Sequence, residues 1–163
     1  MNRRAIYPGS FDPVTNGHLD LMRRATCIFD EVVVAVANNT RKQKLFTVAE
    51  RMEMLRETTA GIPGVTIESF DGLVIKYARQ KKINVLIRGL RVISDFEYEL
   101  QMALTNRRLD EQIETLFLMP SEGHAFLSSA LIKEAAGLGA DITSFVPEQV
   151  AERLRRKLDP RSP

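Results

Sequence analysis

The chain has 163 residues, 44% of them hydrophobic and 27% charged, and its 23 basic against 21 acidic side chains leave a net charge of +2. That length suits a single domain able to bury a core without disulfides or a structural metal. The composition excludes a membrane protein, since the longest apolar run, 32–37, falls far short of the ~20 residues a bilayer requires, and the near-balanced charge argues against a nucleic-acid partner. A lone Cys27 allows no internal disulfide, and with only His18 and His124 beside it no zinc cluster can be assembled. The charged start Met1-Asn2-Arg3-Arg4 leads into three apolar residues and then Pro8-Gly9, not a secretory core, so a mature cytoplasmic chain is expected.

Apolar runs of strand length at 5–7, 31–37, 66–70, 84–87 and 114–119 alternate with helical patterns at 16–29, 47–59, 73–82 and 95–109. Two more helices are predicted at 128–138 and 147–158. In the first helix Leu19, Met22, Thr26 and Phe29 fall on one stripe, and Phe96, Leu100, Ala103 and Leu104 are expected to form the buried stripe of the fourth. Thr47 with Glu50 is a capping box, and Gly137 and Gly139 end the fifth helix. This order predicts an α/β fold, a doubly wound five-stranded parallel sheet with strands buried on both faces, as one domain over 1–158 with a frayed tail at 159–163.

Ligands of such sheets lie beyond the carboxyl ends of the strands. The loop after the first strand, Pro8-Gly9-Ser10-Phe11-Asp12-Pro13-Val14-Thr15-Asn16-Gly17-His18, has neither the dinucleotide-binding nor the P-loop glycine pattern, which argues against a dehydrogenase and a P-loop kinase. It offers Gly9 for close backbone approach, the Ser10 hydroxyl, and His18 in the first turn of a helix whose amides favour an anion; a plain capping turn is the alternative. The fourth strand exits into Arg88-Gly89-Leu90-Arg91, two planar donor forks suited to a polyphosphate, or else to salt bridges with Asp95 or Glu99. Lys42 follows the second strand as a mobile cation, and Ser128 and Ser129 stand at a second helix start.

Thr15-Asn16-Gly17-His18 resembles the (H/T)-x-G-H signature of the nucleotidyltransferases, and Leu127-Ser128-Ser129-Ala130-Leu131-Ile132-Lys133 resembles their I-S-S-x-x-I/V-R/K signature. Together with Tyr7-Pro8-Gly9-Ser10-Phe11-Asp12-Pro13, Leu86-Ile87-Arg88-Gly89-Leu90-Arg91, Asp95-Phe96-Glu97-Tyr98-Glu99 and Asn106, the chain closely resembles the bacterial phosphopantetheine adenylyltransferase family, over about 4–158. The resemblance implies a Rossmann-like nucleotidyltransferase fold, and transfer of AMP from ATP to 4'-phosphopantetheine with magnesium held mainly by substrate phosphates. It also implies a homohexamer and feedback by coenzyme A.

By the same resemblance His18 stabilises the transition state, and Ser10 and Phe11 contact phosphates. Lys42 and Arg88 hold the acceptor phosphate, and Val74 lines the pantetheine arm. Gly89, Leu90, Arg91, Glu99, His124, Ala125, Phe126, Leu127, Ser128, Ser129 and Ala130 form the ATP site. Three positions depart from the family pattern: Ser10 stands for a frequent threonine, Ala130 for a frequent Ser or Thr, and His124 for a frequent aromatic. The rival readings are a relative acting on nicotinamide mononucleotide or on an alcohol phosphate with CTP, and a non-catalytic nucleotide- or RNA-binding module.

Overall fold

The computed structural model describes residues 2–38 and 43–159. Strands β1 (Arg4–Gly9), β2 (Glu31–Ala37), β3 (Val65–Phe70), β4 (Val85–Gly89) and β5 (Glu114–Leu118) alternate with helices α1 (Asn16–Thr26), α2 (Val48–Thr59), α3 (Val74–Lys81) and α4 (Ile93–Leu109). A 3-10 turn (Glu122–His124) then leads into α5 (Ser129–Gly137) and α6 (Glu148–Leu158). The five strands form one sheet in the order β3-β2-β1-β4-β5, and every pair is parallel. The order reverses at β1, so the carboxyl ends of β1 and β4 flank the crevice where this class of sheet binds ligands.

β2 shows why the sheet is covered on both sides. Its β-branched run alternates faces, placing Val32, Val34 and Val36 in one core with Met22, Leu55, Ile132, Val150 and Leu154. Val33 and Ala35 enter a second core with Ile6, Leu86, Ile75 and Tyr77. β1 and β2 pair in register from Arg4↔Glu31 to Gly9↔Val36, whereas β1 and β4 are registered at Ile6↔Leu86. Pro8 sits in this central strand and has no N–H to donate, and its carbonyl accepts from Arg88 Nη1 at 3.1 Å, so a side chain continues the join where the ladder stops.

The local signals behave as their chemistry requires. Glu50 Oε2 accepts from the Thr47 N–H at 2.7 Å while Thr47 Oγ1 accepts from the Glu50 N–H at 3.2 Å. After α5, Gly139 takes φ +83° and donates to the Ala136 carbonyl as Ala140 donates to Ala135, the paired bonds of a Schellman end.

Three expectations need correction. Only β1 and β2 are buried nearly throughout; β3 and β5 are sheet edges with half-exposed residues. The α4 stripe faces outward, with Phe96, Leu100 and Leu104 exposed at 46%, 38% and 57%, while Glu99 and Asn106 are buried instead. The reason is electrostatic: Glu99 must reach Arg88, which rotates the polar side of the helix inward. α1 stops at Thr26, so Phe29 of its expected stripe packs on the core from beyond the helix. The expected frayed tail falls, from 160 onward, outside the described residues.

Replacing Gly139 with alanine forces a Cβ into the left-handed region and is expected to cost about 1–2 kcal/mol, read as a lower urea midpoint at unchanged m-value. An unchanged midpoint would show that the α5 end does not depend on this conformation.

Candidate active site

The loop from β1 to α1 is built around two aromatic contacts and a reciprocal cap. Phe11 is buried with a positive φ of 49°, rare for a residue with a side chain, and its ring meets Tyr7 and His18 edge-on at centroid distances of 5.4 and 5.0 Å. Gly9 makes this possible, because a Cβ there would lie 2.9 Å from the Phe11 ring. The close approach expected at Gly9 is thus made by the protein's own aromatic. Thr15 caps α1, its Oγ1 accepting from the His18 N–H at 3.3 Å, and the Thr15 N–H donates back to His18 Nδ1 at 3.0 Å.

That second bond sets the imidazole's chemistry. With Nδ1 accepting from a backbone N–H, the proton of the neutral ring resides on Nε2, which is left as a donor. Burial, with the nearby charges of Arg91 and Arg88, pushes the His18 pKa down to about 4. His18 is therefore a neutral donor at physiological pH, close enough to both guanidiniums to feel their charge.

Of the two readings left open for the arginines, the salt-bridge one is what is seen, with both Glu99 and Asp95 taking part. Arg88 makes a two-pronged pair with Glu99, at 2.7 and 2.6 Å, and donates a third bond to Pro8. Burial disfavours its charge, but the Glu99 carboxylate more than compensates and holds the Arg88 pKa above the ordinary arginine value. Arg91 pairs with Asp95 at 3.1 Å and donates to the Leu127 carbonyl at 2.7 Å, tying the β4 exit to the segment before α5. Gly89 closes β4 where a Cβ would strike Leu21 at 2.6 Å, and the Leu90 N–H donates to Leu118 on β5 at 3.0 Å.

The segment after β5 is drawn onto the same rim. Asp20 on α1 accepts from Ser121 N–H and Oγ at 2.7 and 2.8 Å, and Ser129 Oγ donates to the Pro13 carbonyl at 2.8 Å. His124 lies in the 3-10 turn beside Gly17, with its Nδ1 buried and lacking a hydrogen-bond partner among the described residues. Ala125 is half-buried, Phe126 is exposed against Phe145, Leu127 is buried, and Ala130 is exposed in the first turn of α5. Ser128 is the cap residue of α5 but its side chain makes no cap bond. Capping therefore does not account for Ser128.

Ser10, Phe11, His18, Gly89, Leu90, Arg91, Arg88, Glu99 and the 124–130 segment thus surround the carboxyl ends of β1 and β4. Val74 opens α3 beyond β3, two strands from β1 in the sheet, and Lys42 lies outside the described residues.

Sequence reasoning missed the groups that hold this rim in shape. Buried Asp12 accepts from the Leu45 and Phe46 N–H groups at 3.1 and 2.9 Å and from Lys133 Nζ at 2.7 Å. Burial opposes its ionisation, yet these three bonds hold its pKa below the usual carboxylate value. Arg51, 2% exposed, donates from Nη1 to the Ser10 and Ala37 carbonyls at 2.7 and 3.2 Å, and burial keeps its pKa below that of an ordinary arginine. Lys44 Nζ donates to Ser10 Oγ at 3.0 Å. The available signals were the place of Arg51 three and four residues before the buried Met54 and Leu55, and Lys133 at the end of the second signature.

The chain matches the family model described as cytidylyltransferase-like over residues 6–135. It is 51% identical over 155 residues to a phosphopantetheine adenylyltransferase of Caldanaerobacter subterraneus subsp. tengcongensis, covering 95% of this chain and 97% of that protein. A phosphopantetheine adenylyltransferase of Desulfatibacillum aliphaticivorans is also 51% identical, over 158 residues that cover 97% of this chain and 90% of the relative. In fold it is similar to a Vibrio parahaemolyticus chain assigned as a nicotinate-nucleotide adenylyltransferase, with a TM-score of 0.71 at 17% identity over 97% of this chain and 95% of the other. With half its residues shared along nearly its whole length, and with both signatures on one rim, the chain belongs to the cytidylyltransferase-like family and, within it, to the phosphopantetheine adenylyltransferases.

Proposed function

We propose that this protein transfers AMP from ATP to 4'-phosphopantetheine, giving dephospho-coenzyme A and pyrophosphate, as a cytoplasmic homohexamer using magnesium. The observation that carries the chemistry is the neutral, Nε2-protonated His18 on the same rim as Arg88 and Arg91. An acceptor phosphate oxygen attacks the α-phosphorus, the bond from that phosphorus to the β-phosphate oxygen breaks, and its electron pair leaves with pyrophosphate. The attacking oxygen is already anionic, so no base has to remove a proton. What the site must supply is alignment and donors for the charge that gathers at the α-phosphate.

In this reading His18 Nε2–H donates to a non-bridging α-phosphate oxygen. Arg91 and the first turn of α5 hold the nucleotide's phosphates, while Gly89, Leu90, Glu99 and the 124–130 segment frame the rest of ATP. Ser10, Lys42 and Arg88 hold the acceptor phosphate, and Val74 lines its arm. The pocket's carboxylates are engaged: Asp12 with Lys133, Asp20 with Ser121, Glu99 with Arg88 and Asp95 with Arg91. No group of three His, Cys, Asp or Glu able to hold a metal occurs among the described residues. Such a donor set fits a magnesium ion carried by phosphates and water, which when bound neutralises charge on the departing pyrophosphate. Coenzyme A, carrying features of both substrates, would inhibit by competing for the same pocket.

The outward α4 stripe and the half-exposed β5 edge, including Leu116, support assembly, because they leave a run of large apolar side chains on one side of the monomer. No helix among the described residues is long and apolar enough to cross a membrane.

The assignment is tested by pyrophosphate release: ATP with phosphopantetheine is expected to turn over, and turnover with nicotinamide mononucleotide but not with phosphopantetheine would overturn it. His18→Ala is expected to lower kcat roughly 100- to 1,000-fold with little change in the KM for ATP. His18→Glu rebuilds the Thr-x-x-Glu cap, so it should keep stability while losing at least as much activity; full activity in either variant contradicts the role of His18. Light scattering should give a hexamer for the wild type and smaller species for Leu104→Asp, and a wild-type monomer would refute the assembly.

A further inference from the structure

We propose that Lys44 is a further binding residue for the acceptor's phosphate, an inference that rests on reading this pocket as the adenylyl-transfer site. Lys44 Nζ stands 3.0 Å from Ser10 Oγ. An ammonium can only donate, so the hydroxyl accepts, which leaves the hydroxyl's own proton to be donated to a ligand. The pair therefore presents a positive charge and an O–H donor from one spot at the carboxyl end of β1, a combination suited to a phosphate oxygen.

Two features distinguish Lys44 from a solvated loop lysine. The backbone immediately after it is clamped, since the Leu45 and Phe46 N–H groups both donate to buried Asp12. Ser10 is held from its other end as well, its carbonyl accepting from Arg51 at 2.7 Å. Ammonium and hydroxyl thus meet between two pinned segments, which cuts the entropy of ordering them around a ligand.

The partner decides which phosphate is met, because Ser10, whose hydroxyl Lys44 shares, is read above as holding the acceptor phosphate together with Arg88 of β4. Lys44 lies on the connection between β2 and α2, on the flank of β1 away from β4 and β5. Arg91 and the segment leading into α5 occupy the opposite flank and are tied together through the Leu127 carbonyl. With Arg91 and that segment read as holding the nucleotide, Lys44 beside Ser10 meets the incoming phosphate, whose negative charge must be brought up against an already anionic triphosphate. A cation on the acceptor side offsets that repulsion, and it does so before the bond-making step.

The test compares the wild type with Lys44→Met and Lys44→Arg. Steady-state assays vary each substrate in turn, and titration calorimetry uses phosphopantetheine and its phosphate-free counterpart, pantetheine. Lys44→Met is expected to raise the KM and the Kd for phosphopantetheine about 10- to 100-fold, the size of a lost charged hydrogen bond. It should leave the KM for ATP and the affinity for pantetheine nearly unchanged, and Lys44→Arg should restore most of the loss. The proposal is overturned if Lys44→Met leaves the phosphopantetheine constants unaltered, if ATP suffers equally, or if pantetheine weakens as much as the phosphorylated form. Failure of the wild type itself to release pyrophosphate from ATP and phosphopantetheine would instead sink the functional reading beneath it.

Discussion

The hydrogen bond from the Thr15 backbone N–H to His18 Nδ1 decides the chemistry of the pocket. A helix N-terminus has to satisfy its orphan amides, and Thr15 and His18 do so for each other. The same bond removes the imidazole's freedom to choose a tautomer and leaves Nε2–H as the group that can donate. Burial and two neighbouring guanidiniums then keep the ring from taking a second proton until about pH 4. A structural need and a chemical one are thereby met by one residue, and the donor's state is constant across the neutral range.

Around this donor the rim is held by charged groups whose partners lie far along the chain. Lys133 reaches back to Asp12, Arg88 grips Glu99 and the carbonyl of Pro8, and Arg51 joins the carboxyl ends of β1 and β2 through their carbonyls. Buried charges are tolerated when paired and fully hydrogen-bonded, and removing one partner of such a pair typically costs about 3–5 kcal/mol. These side chains also give the pocket its excess of positive donors while keeping its carboxylates engaged. An anion-binding site therefore arises from the same contacts that fasten loops to the sheet.

What could be read in advance was mostly local. The Thr47 cap, the Gly139 helix end, the buried stripe of Leu19 and Met22 and the five strands each depend on residues within one turn or one strand, and each appears where its pattern places it. The α4 stripe was misleading because the helix's rotation is set by Glu99 reaching a strand 11 residues earlier, not by the apolar period. Arg51 and Lys44 were not legible for the same reason: their partners at Ser10 stand 41 and 34 residues away, and one is a backbone carbonyl that no side-chain pattern records. His18, Arg88 and Arg91 were found through a family resemblance and through the rule that ligands sit past the strand ends; the bonds that orient them required coordinates.

The most direct test of this account is a nitrogen-15 NMR titration of His18 in the ligand-free protein. The imidazole should be the Nε2-protonated tautomer at neutral pH, with Nδ1 shifted as a hydrogen-bond acceptor, and should take up its second proton only near pH 4. A ring protonated on Nδ1, or one titrating at or above the ordinary histidine value of about 6.5, would contradict it.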